Sequence, residues 1–200
     1  MDWWARTLLV LQRPASVFAA LRADDDEERE EPLLAIVFLA GIAGVVSSNA
    51  ASRILDDFEI DGLALAVWAF VAGGLYGVVG YFVLGALVYL GARLAGGATT
   101  YRRARHVLGF AAVPLALSLL VWPVRLAIYG EDAFTSGGED SGTGGSAFEG
   151  IELAVLLWSV VLLVVGLRAY NAWSWPRAAA AASPVLAVAA VALGRAFGLF

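Results

Sequence analysis

Three arginines and the only histidine of the chain stand within five residues: Arg102, Arg103, Arg105 and His106. Guanidinium groups bind phosphates and carboxylates, and imidazole titrates near neutrality. The leading reading of this cluster is a cationic anchor whose side chains reach lipid headgroups. The next is a site for an anionic lipid or for an acidic segment of a partner protein. A proton or ligand relay through His106 comes third. Other polar candidates are scattered among apolar runs. Arg125 and Glu152 are expected on the same side of the membrane, where they can form an ion pair. Tyr76 and Tyr81 are candidates for hydroxyl contacts inside a helical bundle. Pro114 lies mid-run, where its missing N–H predicts a kink.

These residues do not assemble into a familiar catalytic set. The sequence contains no HExxH, GxSxG or Walker motif. One histidine and no cysteine leave no thiolate metal site and no histidine-rich one. The glycine-rich stretch Gly137–Gly145 lacks the GKS ending of a phosphate loop. No catalytic residue, cofactor or metal is therefore expected, and the chain reads as non-enzymatic.

The elements that must hold these side chains are membrane helices. Sixty per cent of the 200 residues are hydrophobic and 16% are charged, whereas ordinary soluble domains carry about 25% charged residues. A globule of this size has too little interior to hide so much apolar surface. Lipid must take it, and an all-α bundle keeps every backbone group satisfied there. All 13 basic residues are arginine, and the net charge is −5. No basic face is long enough to follow a phosphate backbone, so nucleic acid is excluded as a partner.

Residues 1–31 form a cytoplasmic amphipathic segment with an acidic linker, and residues 32–200 form the membrane domain. Trp4, Leu8, Leu11, Ala15, Phe18 and Leu21 share one side of a helical wheel, opposite Arg6 and Arg13. The break at Arg13-Pro14 predicts two short helices. They either lie in the headgroup plane or pack on the bundle. The start lacks the pattern of a secretory signal and is expected to be retained. Asp24–Glu31 reads as a solvated linker.

Five spans are predicted, at about 33–51, 71–91 within an apolar run 63–92, 105–129, 151–168 and 177–199. Gly41 and Gly44 suit close helix approach in the first span. Gly73 and Gly77 do the same in the second, with small-xxx-small spacing. Thr99 and Thr100 are candidate caps for the third. Residues 131–149 have the composition of a flexible loop. With the amino terminus inside, ten arginines fall on inner segments and three on outer ones. That bias favours a cytoplasmic amino terminus and a carboxyl terminus outside. Splitting 63–92 into two spans would put Arg93, Arg102, Arg103 and Arg105 outside, so one long helix is preferred there.

Three stretches resemble prokaryotic members of the Yip-domain (Ypt-interacting protein) family. The first is Gln12-Arg13-Pro14-Ala15-Ser16-Val17-Phe18-Ala19-Ala20-Leu21, which is followed by an acidic linker and Pro32. The second is Arg105 to Leu115, where Gly109-Phe110 precedes Pro114 by four residues. The third runs from Trp158 through Gly166-Leu167-Arg168 to Arg177-Ala178-Ala179. The resemblance covers nearly the whole chain. It implies five membrane helices, an inside amino terminus and an outside carboxyl terminus. Eukaryotic members bind Rab GTPases and shape membranes. Their DLYGP-type motif is absent here, and Glu31-Pro32-Leu33 stands in its place.

The function expected is membrane organisation or partner binding. The expected partners are membrane lipids and unidentified membrane or cytoplasmic proteins, with a homo-oligomer also open. The alternative is a subunit of a small-solute or ion transporter or channel, with Tyr76, Tyr81, His106, Pro114 and Glu152 lining a path.

Overall fold

The computed structural model describes residues 3–23, 31–47, 62–130, 133 and 143–196. The acidic linker, the loop around Arg53 and Asp56–Asp61, most of the glycine-rich loop and the last four residues lie outside the described residues, as do the expected ends of the first and fifth spans.

The described residues form helices: α1 (Trp3–Gln12), α2 (Pro14–Ala20), α3 (Glu31–Val46), α4 (Gly62–Leu94), α5 (Tyr101–Ala111), α6 (Val113–Ser118), α7 (Trp122–Tyr129), α8 (Thr143–Asn171) and α9 (Trp175–Ala196). A 3₁₀ turn, Leu119–Val121, joins α6 to α7. Three stretches are long and apolar enough to cross a membrane: Val67–Leu94, Tyr101–Tyr129 and Gly144–Asn171. Pro32–Val46 and Trp175–Val191 are shorter apolar helices.

Local chemistry sets the breaks. Arg13 is non-helical at φ −135°, ψ 59°, and Pro14 opens α2. Pro114 and Pro123 each sit in the first turn of a helix, α6 and α7. A proline there has no N–H to lose, but the preceding helix cannot continue through it unchanged. The third stretch is thus a chain of short helices rather than one kinked rod. Thr100 caps α5 by accepting from the Arg103 N–H at 3.3 Å. The arginine cluster consequently belongs to the first turns of that helix, which begins four residues before the predicted start at 105.

The run 63–92 lies within a single helix of 33 residues, about 50 Å long at 1.5 Å per residue. Helix α3 crosses it through glycine. A Cβ built on Gly41 would fall on the Gly73 carbonyl oxygen and on Gly77 Cα, and one on Gly77 would strike the Val37 carbonyl oxygen. Backbones this close leave no room for a side chain. Leu33 and Tyr81 both lie against Gly109 of α5. Helix α4 then runs thirteen residues further to Leu94, about 20 Å. There its Gly91 meets the Ala181 carbonyl and Pro184 of α9.

The buried core gathers around the same region. Val88 and Ala92 of α4, Val107 and Phe110 of α5, Leu162 and Leu167 of α8, and Ala178 and Ala181 of α9 surround Val17, Phe18 and Leu21 from the amino-terminal segment. Elsewhere α4 presents Val67, Phe70, Val71, Leu75 and Val79 outward, as a lipid-facing surface does.

Helix α8 starts at Thr143, eight residues before the predicted span, in a stretch whose composition suggested a loop. Tertiary contact explains the difference. Phe148 packs edge-on to Tyr129 with centroids 6.1 Å apart, and Gly144 abuts the Tyr129 hydroxyl.

Gly41→Ala should cost about 1–3 kcal/mol by forcing α3 and α4 apart. Gly44→Ala, with nothing within 4 Å of its Cβ, should gain up to about 1 kcal/mol from helix propensity. Reversible unfolding in mixed micelles measures both; equal effects would sink the glycine-crossing account. Ala172, at φ 54° beyond α8, adopts a left-handed conformation that costs an L-residue about 1–2 kcal/mol. Ala172→Gly should recover much of this in the same assay.

Candidate functional site

Two polar constellations lie at opposite ends of the bundle. The arginine-bearing end is built from the α4–α5 connection, the α8–α9 connection and the amino-terminal segment. Helix α4 ends in Gly96 at φ 78°, with the Gly97 N–H donating to Ala92 O at 2.8 Å. Helix α8 ends the same way at Ala172, with the Trp173 N–H donating to Arg168 O at 3.0 Å. Both ends are closed further by arginines from elsewhere. Arg177 donates to the carbonyls of Ala95 (2.8 Å) and Gly96 (3.3 Å). Arg22 donates to the carbonyls of Ala169 (2.6 Å) and Tyr170. A cation at a helix carboxyl end satisfies orphan carbonyls and faces the negative pole of the dipole. Thr99 donates to Asn171 Oδ1 at 2.9 Å, tying the two connections together.

Aromatic rings surround this end. Arg168 lies over Trp175 at 4.6 Å, Arg177 over Trp173 at 4.7 Å and Arg93 over Tyr89 at 6.0 Å. Arg105 is held by three rings: Tyr81 at 5.3 Å, Phe82 at 4.7 Å and Tyr101 at 4.9 Å. Gly85 makes the notch for its stem, since a Cβ there would strike Arg105 Cγ. The Tyr101 hydroxyl donates to the Phe82 carbonyl at 2.9 Å, fixing the third ring.

The predicted cluster is divided by this packing. Arg103 is 5% exposed and His106 is 1% exposed. They turn into the bundle rather than out to headgroups: Arg105 takes the side of α5 that meets α4, and Arg103 lies on the side of Val107 and Phe110, which meet α8 and α2. Arg102 and Arg105 are half-buried, whereas Arg22, Arg93 and Arg177 are exposed. The outward-facing cations therefore lie largely outside the predicted cluster. The capping role of Arg22 and Arg177 had no sequence signal, because each reaches a carbonyl at least 80 residues away.

Gly109 and Phe110 form a packing knot. Gly109 sits against Leu33 and Tyr81, and Phe110 meets Phe18 edge-on at 6.4 Å. Gly166 of α8 closes the knot against Val107 and Phe18. Tyr81 is buried beside Arg105. Tyr76, expected inside the bundle, is 64% exposed on the outer face of α4. Five residues of helix turn it about 140° away from Tyr81.

The opposite end holds a smaller network. Arg125 Nη1 lies 3.5 Å from Glu152 Oε1. Ser47 donates to the same carboxylate oxygen at 3.0 Å and accepts from the Trp122 indole N–H at 3.3 Å. Arg125 also lies over Trp122 at 4.9 Å and over Phe148 at 5.9 Å. This links α3, α7 and α8. The Arg125–Glu152 contact is legible in the sequence; the parts played by Ser47 and Trp122 are not, because each is distant from Glu152 in the chain. Ser47 and Leu33 are 14 residues apart along one helical run, about 20 Å. Glu152 is accordingly remote from His106, and the path proposed through Tyr76, Tyr81, His106, Pro114 and Glu152 is not assembled.

The family model for the Yip1 domain matches residues 8–196. No curated protein and no solved structure matches the chain.

The carboxylate network should behave as one coupled unit. In a double-mutant cycle of Glu152→Gln and Arg125→Met, unfolding should reveal a coupling of about 0.5–3 kcal/mol. Additive losses would show that the two side chains act independently.

Proposed function

The chain belongs to the Yip1-domain family of membrane proteins, and from that premise we propose that it is a non-enzymatic membrane organiser or adaptor. In this reading five helical segments, α3, α4, α5–α7, α8 and α9, span the bilayer. The amino terminus is cytoplasmic and the carboxyl terminus lies outside. The arginine-bearing end meets the cytoplasmic leaflet and engages anionic lipid headgroups and acidic segments of partner proteins.

The observation that carries the proposal is the gathering of Arg22, Arg93, Arg168 and Arg177 around two helix carboxyl ends, among Trp173, Trp175 and Tyr89, with Arg102 half-buried in the first turn of α5. Arginines and interfacial aromatics together favour the headgroup level, and arginine favours the cytoplasmic side. Cations near an anionic leaflet gain about 1 kcal/mol each. The stacked rings hold the guanidinium planes in place, so binding costs less ordering of the side chains.

A second reading, a subunit moving a small solute or ion, draws on the Glu152–Arg125–Ser47 network within the span. Charged groups inside spans often mark transport paths. Flux separates the two readings.

The cysteine-free chain makes the tests direct. An impermeant maleimide should label Ala147→Cys from outside intact cells, and Arg93→Cys only after permeabilisation. Labelling of both from one side would exclude this topology. In nanodiscs containing phosphatidylglycerol, native mass spectrometry should show acidic lipid retained by the protein and several-fold less retained by an Arg93→Gln/Arg102→Gln variant. A solute or proton flux in proteoliposomes that disappears in Glu152→Gln would instead establish the transport reading.

A further inference from the structure

The amino-terminal helix pair shows two unlike faces at a particular depth. Helix α1 buries Arg6 and Val10, and α2 buries Val17 and Phe18 against α5 and α8. The pair is thus fixed to the bundle. Yet α1 leaves Trp4 55% exposed and Leu8 63% exposed, one turn apart on the same side. Trp4 and Leu8 lie opposite Arg6, as on the predicted wheel, but Phe18 and Leu21, which share their side of that wheel, are buried in the bundle. The helix axis breaks at Arg13, so α1 and α2 do not share one wheel.

Depth decides what lies beside that exposed pair. Helix α1 packs against α6, Val113–Ser118. Val113 is seven residues past His106, about 10 Å further along the span from the basic cluster. Helix α6 also packs against α3, whose first turn contains Pro32 and Leu33. The contact partner of α1 therefore lies within the apolar stretch and not in the arginine layer. A helix held there has its outer face at the boundary between headgroups and acyl chains. Interfacial helices characteristically sit about 5–10 Å into that boundary.

Charge agrees with this placement. From Trp3 to Ala23 the chain carries Arg6, Arg13 and Arg22 and no acidic residue. Arg13 is exposed at the α1–α2 break, where it can reach a phosphate while Trp4 and Leu8 enter the apolar layer. Tryptophan is the residue best suited to that mixed environment.

We propose that α1 is an in-plane membrane anchor of the same bilayer that holds the bundle, with Trp4 and Leu8 inserted at the headgroup–acyl boundary and Arg13 on anionic headgroups. The anchor rests on the reading that α5–α7 cross the membrane. It adds that the amino-terminal segment is a lipid-binding element wedged into one leaflet.

Single-cysteine variants carrying the NBD fluorophore test this in vesicles of phosphatidylcholine and phosphatidylglycerol, with and without phosphatidylcholine brominated near the headgroup end of its acyl chains. Val79→Cys, on the outward face of α4, serves as the bilayer reference, and Ala98→Cys, in the α4–α5 connection, as the aqueous one. The Leu8→Cys probe should emit to the blue of the Ala98 probe and be quenched by bromolipid to at least half the extent seen at Val79. Water-like emission at Leu8, with Val79 quenched, overturns the anchor while leaving the spanning bundle intact. Blue-shifted emission without bromolipid quenching also overturns it, because protein and not lipid would then cover α1. A Val79 probe that bromolipid does not quench defeats the spanning reading itself. Leu8 is exposed, so the labelled variant leaves the core untouched.

Discussion

The structure depends on the glycine crossing of α3 and α4. Gly41 against Gly73 and Gly77 brings two backbones together with no side chain between them. Lipid tails are as apolar as the helices, so association within a bilayer rests on van der Waals packing and not on expulsion of water. A crossing without side chains maximises that contact. It also sets the register of α3, which places Leu33 against Gly109 at one end and brings Ser47 to Glu152 and Trp122 at the other. Both polar constellations inherit their geometry from this one approach.

Helix α4 is longer than a bilayer is thick, and its excess has a structural use. Beyond the level of Leu33 it carries Gly85, Val88, Gly91 and Ala92, which receive Arg105 and α9. The best-buried core of the molecule lies there, with α2 inserted through Phe18. Toward the other end the helices meet through fewer buried residues and offer apolar faces to lipid. One end is thus consolidated by protein packing, and the rest depends more on the membrane around it.

Arginine does three distinct jobs at the consolidated end. Arg22 and Arg177 close helix ends by donating to carbonyls. Arg105 is clamped among rings and joins α4 to α5. Arg93, stacked only at a distance on Tyr89, faces outward. Lysine could supply the charge, but not the planar fork that meets two carbonyls or stacks on a ring. The lysine-free composition is therefore used structurally, whatever its origin.

Whereas the division of 101–129 into separate short helices belongs to the structure, the sequence by itself determined the all-helical membrane character, the break at Pro14, a distortion at Pro114 and the long helix through 63–92. These follow from local or one-dimensional physics: hydropathy over a bilayer's thickness, a missing N–H, and the bias of arginine across a membrane. The three family stretches were also legible, because they are contiguous. The division of the basic cluster was not. Arg103 and His106 turn inward and Arg102 does not, since that depends on which sides of α5 meet the other helices. The turning out of Tyr76, the parting of Trp4 and Leu8 from Phe18 and Leu21 at Arg13, the early start of α8 on Tyr129 and the capping of distant carbonyls by Arg22 and Arg177 belong to the same class. Each is decided by contacts between segments far apart in the chain, and such contacts exist only once the glycine crossing has set the helices in register.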